Sequence, residues 1–405
     1  MSGHPALRAR WQAVAGRWQG VTLLLPVLFA VAMDLALLVP NDTGIYHRYA
    51  NEALSSPLLH SLPKEYPAAA VAIFLIPLLL PVKYVFAFAL IAALGTAALL
   101  LCSDGLPAYP GWSRRTTIYL LVGTSAVVLG RYDIFPALAA FLAVDAARKD
   151  RWARAWAWGV AGGLLKLFPF LLLPGFLLAE HARTGRWATR RAAVACIPVA
   201  LVVCVQSVLA PGSALSPVRY ELNRGFELES LPGGLTLLTD PLHVRWKFQY
   251  GGWEIFGANH NVIVILVLLA TVTGVVAVWR FAALGRLSVE ATSLAVLSVS
   301  VLGDKALSPQ YLIWLAPLWA YWPLRHGWLA AAALSTLVYP VLFIEGGLLG
   351  HTYYFAAGAA LFRNVVLIVA TACWAREQLH ARQAGGASLA LPTGVLVQHD
   401  YATVG

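Results

Sequence analysis

The chain has 405 residues, of which 60% are hydrophobic and 12% charged, with 15 tryptophans and a formal net charge of +10; its mean hydropathy is +0.70. That composition excludes a soluble domain of any size and describes an all-α polytopic membrane protein built from transmembrane helices. The arginines and lysines fall in short clusters between apolar runs, the pattern that orients loops against anionic lipid, so the basic balance implies membrane lipid as a partner and no nucleic acid.

In chain order, residues 1–19 form a cytoplasmic segment carrying Arg8, Arg10 and Arg17, followed by an apolar run over residues 20–40. That run is long enough to cross a ~30 Å hydrocarbon layer and lacks a small-residue cleavage signature, so it reads as a retained span. It delivers Asn41-Asp42-Thr43-Gly44 to the outer side. Arg148, Lys149, Arg151 and Arg154 read as cytoplasmic, and so do Arg183, Arg186, Arg190 and Arg191, yet one apolar stretch lies between the two clusters. Two inside ends require an even number of crossings. The reading favoured is a hairpin with its apex at Lys166-Leu167-Phe168-Pro169; the alternative is an ordinary span with one basic cluster outside.

The 192–210 span leads outward to a large loop near 211–260, and a span over 261–279 returns to Arg280 and Arg286. The next emerges at Gly303, another ends at Arg325 and His326, another emerges near Glu345, and the last returns to Arg376. The transmembrane domain therefore covers residues 20–375 with about 10–12 crossings, by the usual span length. Extracytoplasmic loops lie near 41–65 and 211–260, and residues 376–405 form a cytoplasmic tail without regular structure. Cys102, Cys196, Cys204 and Cys373 lack metal-ligand spacing and read as small core residues. Gly159 and Gly163 read as a helix-packing contact.

Under this topology the polar residues gather on one side. Asp42, Tyr46, His47, Lys64 and Glu65 occupy the first outer loop, Arg131 and Asp133 interrupt an apolar stretch turning near the same face, and Lys166 lies at or below it. Arg224, Glu227, Glu229 and Ser230 lie in the large outer loop, and Asp304, Lys305, Ser308, Gln310 and Tyr311 at the next outer turn. Charges this close to hydrocarbon are costly unless they are paired or face a wet cavity, so the clusters point to one shared extracytoplasmic cavity.

Several of these segments form an ordered series: Asp42-Thr43-Gly44-Ile45-Tyr46-His47, Glu65-Tyr66-Pro67, Gly130-Arg131-Tyr132-Asp133, Lys166-Leu167-Phe168-Pro169, Arg224 through Ser230, and Ser308-Pro309-Gln310-Tyr311 with Leu312 through Leu315. The series resembles glycosyltransferase family 87, integral membrane enzymes of the GT-C fold typified by actinobacterial polyprenyl-phosphomannose-dependent α-mannosyltransferases. The resemblance runs from about residue 20 to residue 375. Ala68 stands where the family often has a second proline, and no Asp-X-Asp pair is present, which agrees with a lipid-phosphate donor rather than a metal-held nucleotide sugar.

The resemblance implies transfer of mannose from a polyprenyl-phosphate-linked donor to an extracytoplasmic glycolipid or glycan acceptor. It implies inversion at the anomeric carbon and a multi-pass plasma-membrane enzyme without metal or cofactor. Such chemistry needs a base for the acceptor hydroxyl and positive charge for the departing phosphate. Asp42 is the base candidate, the alternative being a helix-capping acid. Arg224, Lys166 and Lys305 are the phosphate-binding candidates, Arg224 first because guanidinium grips phosphate with two parallel bonds. Arg224 paired with Glu227 or Glu229, and Lys166 paired with Asp133, are the structural alternatives. His47, Glu65, Arg131, Asp133, Glu229 and Gln310 are candidates for sugar or acceptor hydroxyls, with His47 leaning toward a plain loop residue. A polyprenyl-phospho-arabinofuranose-dependent arabinofuranosyltransferase, a lipid-glycan transporter or flippase, and a noncatalytic scaffold are the competing classes; the absence of a visible inverted repeat weighs against transport.

Overall fold

In a segment without polar side chains the backbone N–H and C=O groups must satisfy one another, and the helix is the local way to do so. The computed structural model, which describes residues 42–55, 57, 59, 61–102, 109–249, 252–342 and 353–384, is accordingly a helical bundle. The expected 1–19 segment, the 20–40 span, the turn near Glu345 and the tail from residue 385 lie outside the described residues.

The first half contains α1 (Asp42–Leu54), α2 (Ala70–Leu75, extended by a 3-10 turn over Ile76–Leu79), α3 (Tyr84–Leu101), α4 (Trp112–Thr124), α5 (Ile134–Arg148) and α6 (Trp152–Leu165). A 3-10 turn over Phe168–Leu172 then leads into α7 (Leu173–Thr184) and α8 (Thr189–Leu209). The 211–260 region folds as α9 (Ser216–Asn223), β1 (Phe226–Glu227), α10 (Leu231–Thr239), β2 (Arg245–Gln249) and β3 (Gly252–Phe256). Finally come α11 (His260–Ala283), α12 (Val289–Leu302), α13 (Leu312–Trp319), α14 (His326–Thr336) and α15 (Tyr353–Ala384).

The described residues are mostly helical, as expected, and the large loop adds a small three-stranded antiparallel sheet in the order β1-β3-β2, with Phe226 and Trp246 both opposite Ile255. One expectation is corrected. Residues 376–384 belong to α15 and are not a structureless tail, because the helix continues past its apolar stretch and Glu377 forms an ion pair with Arg325 at 2.5 Å.

Residues 150–184 fold as a helical hairpin with its apex at Lys166 to Pro169, the chain path expected there. Asp150, just before α6, pairs with Arg183 near the end of α7 at 2.5 Å, and Trp156 donates to Glu180 at 3.2 Å, so the two helices run antiparallel from a common end. Pro169 opens the turn between them, and Lys166 is extended. Close packing there depends on glycine: an added Cβ at Gly159 would lie 2.6 Å from Leu173, at Gly162 3.0 Å from Ala139, and at Gly163 within overlap of the Phe170 ring. The expected packing role of Gly159 and Gly163 is thus the one observed.

Other cross-bonds show the bundle's two ends. Arg115 of α4 donates to the carbonyl of Ala320 after α13 at 2.8 Å, and Tyr109 donates to Glu290 at the start of α12 at 2.9 Å; Asp145, Arg148 and Lys149 cluster nearby. The opposite end carries α1, the 131–133 turn, the α6–α7 apex, the sheet and residues 303–311. Between them lies a core of Ala, Leu, Phe and Trp, including the stacked Trp319 and Trp328.

Four of the described helices are long and apolar enough to cross a membrane: Tyr84–Leu101, Thr189–Leu209, His260–Ala283 and Tyr354–Ala381. α8 and α11 leave most of their apolar side chains outside the protein, among them Ile197, Leu201, Val208, Ile265 and Leu269, an exposure that water would not tolerate and lipid would. Cys196, Cys204 and Cys373 also face outward and Cys102 is exposed, so the cysteines are not the core residues the sequence suggests.

Candidate active site

Asp42 stands in the first turn of α1, where a carboxylate is favoured by the helix's free N–H groups. It forms an ion pair with Arg131, and the Tyr46 hydroxyl donates to it at 3.4 Å. Tyr46 is buried one turn along the helix, stacked on Phe74 at 4.5 Å and edge-on to Tyr66 and Tyr132 at 5.9 and 5.8 Å. This tyrosine pack fixes α1 against the turn bearing Arg131 and Asp133, two segments that the sequence separates by about ninety positions.

Asp133 opens α5 with a side chain only 1% exposed. One of its oxygens accepts from Lys166 Nζ at 2.6 Å and from Trp314 Nε1 at 2.7 Å; the other has no hydrogen-bond partner among the described residues. The Lys166 ammonium lies 4.9, 5.2 and 5.6 Å from the ring centroids of Trp314, Tyr132 and Tyr311, an aromatic enclosure that suits a cation.

Lys166 also lines a cavity of 250 Å³ together with Glu65, Glu221, Asp304 and Tyr311, against an apolar wall that includes Phe168, Leu171, Leu297 and Val301. Glu65 accepts a hydrogen bond from Tyr49 at 2.6 Å. Burial, with Glu221 adding repulsion, pushes the Asp304 carboxyl up to about 7. The cavity thus combines one cation, three acids and a greasy side. Asp42, Arg131 and Arg224 do not line it.

Arg224, 7% exposed, sits among Glu254, Glu221 and Glu227 at 3.5, 3.7 and 3.8 Å. Burial opposes its charge, but the carboxylates, Glu227 foremost, outweigh burial and raise its pKa above the ordinary value. The guanidinium therefore organises the sheet and α9, the structural alternative recognised from the sequence. Glu227 stays raised by burial even though Arg224 and Arg131 both act to lower it, so Arg131 links the Asp42 pair to the Arg224 cluster.

Glu229 is pushed up to about 8 by burial and by Glu227, with Arg363 acting the other way. Its side chain lies 3.6 Å from Arg363, and its backbone carbonyl accepts from both Arg363 and Asn364. Lys305 donates to the carbonyls of Leu222 and Arg224 at 3.0 and 3.1 Å, so its ammonium clamps the loop and is not directed into the cavity. His47 is exposed and stacks on Tyr84 at 4.5 Å, apart from the polar network. Gln310 is half-buried in the 3-10 turn Pro309–Tyr311. Ser230 caps α10 by accepting the Gly233 N–H at 3.0 Å.

No protein-family model, curated protein or solved structure matches this chain. What this end of the bundle can do chemically follows from its side chains. It offers a partly buried carboxylate with an arginine counter-charge, an enclosed ammonium bordering a small acid-lined cavity, and a folded loop held over them by ion pairs.

Glu221, Glu254, Arg363 and Asn364 were not singled out from the sequence. Arg363 and Asn364 did carry a signal, since an arginine–asparagine pair inside a long apolar run marks a site that must find partners. Glu221 and Glu254 carried none, because an acid in an outer loop looks the same whether it faces water or a buried guanidinium.

Proposed function

We propose that the chain is a multi-pass membrane glycosyltransferase of the GT-C type, moving a sugar, mannose in the first instance, from a polyprenyl phosphate to an extracytoplasmic glycolipid or glycan. The observation that carries this reading is the convergence of ionisable groups from five separate segments, Asp42, Arg131 with Asp133, Lys166, Glu221 with Arg224, and Asp304, at one end of an otherwise apolar bundle. The end bearing Arg148, Arg183, Arg190, Arg325 and Arg376 is rich in cations, which supports reading it as the cytoplasmic end and the polar cavity as outward-facing.

In this reading the phosphate of the donor meets Lys166, the cation that borders the cavity, and the prenyl chain lies along the apolar wall. Glu65, Glu221 and Asp304 accept hydrogen bonds from sugar hydroxyls, a task that acids perform well inside a low-dielectric pocket. Arg224 and Lys305 act through the loop they hold, a smaller role than first assigned to them. Asp42, outside the cavity lining and beside Arg131, takes the proton as the acceptor oxygen attacks the anomeric carbon. An inverting displacement needs base and departing phosphate on opposite faces of the sugar, and Asp42 and Lys166 are each held by the Arg131-Tyr132-Asp133 turn, Asp42 through Arg131 and Lys166 through Asp133.

The test is product analysis in proteoliposomes supplied with polyprenyl-phosphate-linked radiolabelled mannose and a crude envelope-lipid acceptor. Formation of a new glycosidic bond, abolished in Asp42→Asn without loss of expression or donor binding, is the expected result. Relocation of unmodified lipid across the bilayer with no new bond would reassign the protein to transport. Unchanged turnover in Asp42→Asn would remove Asp42 from the mechanism. Supplying polyprenyl-phospho-arabinofuranose in parallel distinguishes the two donor sugars.

A further inference from the structure

Between α6 and α8 lies a groove of 960 Å³ that runs along α6 and carries its arginines at the end of the bundle away from the polar cavity. Its walls are Trp156, Val160 and Leu164 of α6 and Val194, Ala195 and Pro198 of α8, and its mouth is formed by Arg186, Arg190 and Arg191. The groove runs beside α6 from Ala153 to Leu164, about 16 Å at the rise of an α-helix. That is the depth of one leaflet of a ~30 Å hydrocarbon core.

The charge at the mouth is unbalanced. Glu180 is buried and already engaged, in an ion pair with Arg191 and as acceptor from Trp156 at 3.2 Å. Arg186 and Arg190 are exposed, with no carboxylate paired to them among the described residues. The nearby acid Asp150 pairs with Arg183 at 2.5 Å. Trp187, 54% exposed, stacks on His181 at 3.9 Å and adds an aromatic surface at the level where headgroups lie.

We infer that this groove is a binding site for an anionic phospholipid, with its phosphate held by Arg186 and Arg190 and an acyl chain lying between α6 and α8. Guanidinium groups recognise phosphate through paired N–H donors, and basic pockets between helices at the cytoplasmic surface select anionic headgroups. The lipid would complete the packing of α8, whose apolar residues otherwise have little protein to contact. The occupant follows from charge complementarity and from the match between groove length and leaflet depth. The inference depends on the membrane-spanning reading and not on the transferase reading.

Native mass spectrometry of the protein extracted in mild detergent tests it, alongside thermal unfolding in nanodiscs of phosphatidylcholine with and without phosphatidylglycerol. The expected result is a retained anionic diacyl lipid, and an unfolding temperature that rises with phosphatidylglycerol but not with inorganic phosphate at the same concentration. Arg186→Gln with Arg190→Gln, which leaves the Arg191–Glu180 pair intact, should reduce lipid occupancy at least tenfold. Ala161→Phe, which narrows the groove, should do the same with the arginines in place. Equal retention by all three proteins, a preference for neutral lipid, stabilisation by phosphate alone, or a dimer whose interface fills the groove would each overturn the assignment. Should the double variant fail to fold, the nanodisc comparison on the unaltered chain still decides it, because both readouts are taken without donor sugar.

Discussion

Replacing Lys166 by methionine keeps most of the side chain's volume and removes its charge, leaving Asp133 as a carboxylate only 1% exposed with Trp314 as its remaining donor. Breaking a buried pair by deleting one partner costs about 3–5 kcal/mol, chiefly the penalty of the uncompensated charge left behind. Adding Asp133→Asn removes that charge, and Trp314 still has an oxygen to donate to, so the double variant should recover most of the lost stability. Thermal unfolding in detergent ranks the parent and double variant close together and the single variant well below. Transfer activity follows a different order: if Lys166 receives the donor phosphate, the double variant regains stability and stays inactive, with the loss visible in donor binding. A single Lys166→Met variant as stable as the parent would refute the assignment of a buried ion pair. A stable double variant with normal turnover would restrict Lys166 to packing.

Three further outcomes follow from the same geometry. Glu229 and Asp304 carry folded-state values of about 8 and about 7, above the ordinary carboxylate range near 4, so the folded protein holds protons that the unfolded chain releases. Stability should therefore fall as pH rises from about 4 to about 8 and level off above, and Glu229→Gln should flatten that slope in an unfolding series across pH. Arg363→Leu removes the ion-pair partner of Glu229 and one donor each from the carbonyls of Glu229 and Leu307, leaving Asn364 on the former, at a cost of about 3–5 kcal/mol, and should make the 211–260 region an early target in limited proteolysis. Gly163→Ala places a methyl group against the Phe170 ring, and overpacking of this kind costs about 1–3 kcal/mol. It should shift the adjacent Lys166 enough to lower turnover more than expression, measured as transfer per unit of folded protein.

The helical character, the hairpin at Lys166 to Pro169 and the helix-packing role of Gly159 and Gly163 were legible in the sequence, because each depends on local chemistry. Apolar runs leave the backbone no partner but itself, basic clusters and a proline mark where a helix must turn, and glycine marks where neighbours come close. The same local signals marked Asp42, Arg131, Asp133, Lys166 and Arg224 as polar interruptions of apolar runs, and the fold brings them to one end of the bundle, with Lys166 alone of the five lining the cavity. What tertiary structure decided was which of these charges answer one another. Arg224 and Lys305 look like free cations in a list of residues, yet one is enclosed by Glu221, Glu227 and Glu254 and the other donates to backbone carbonyls more than eighty positions away. The sheet in the large loop and the Arg363–Glu229 link across 134 positions were likewise invisible in advance. Such pairings depend on distances that arise only when the helices pack, and a charge's role is set by the partner that reaches it in space rather than by its neighbours along the chain.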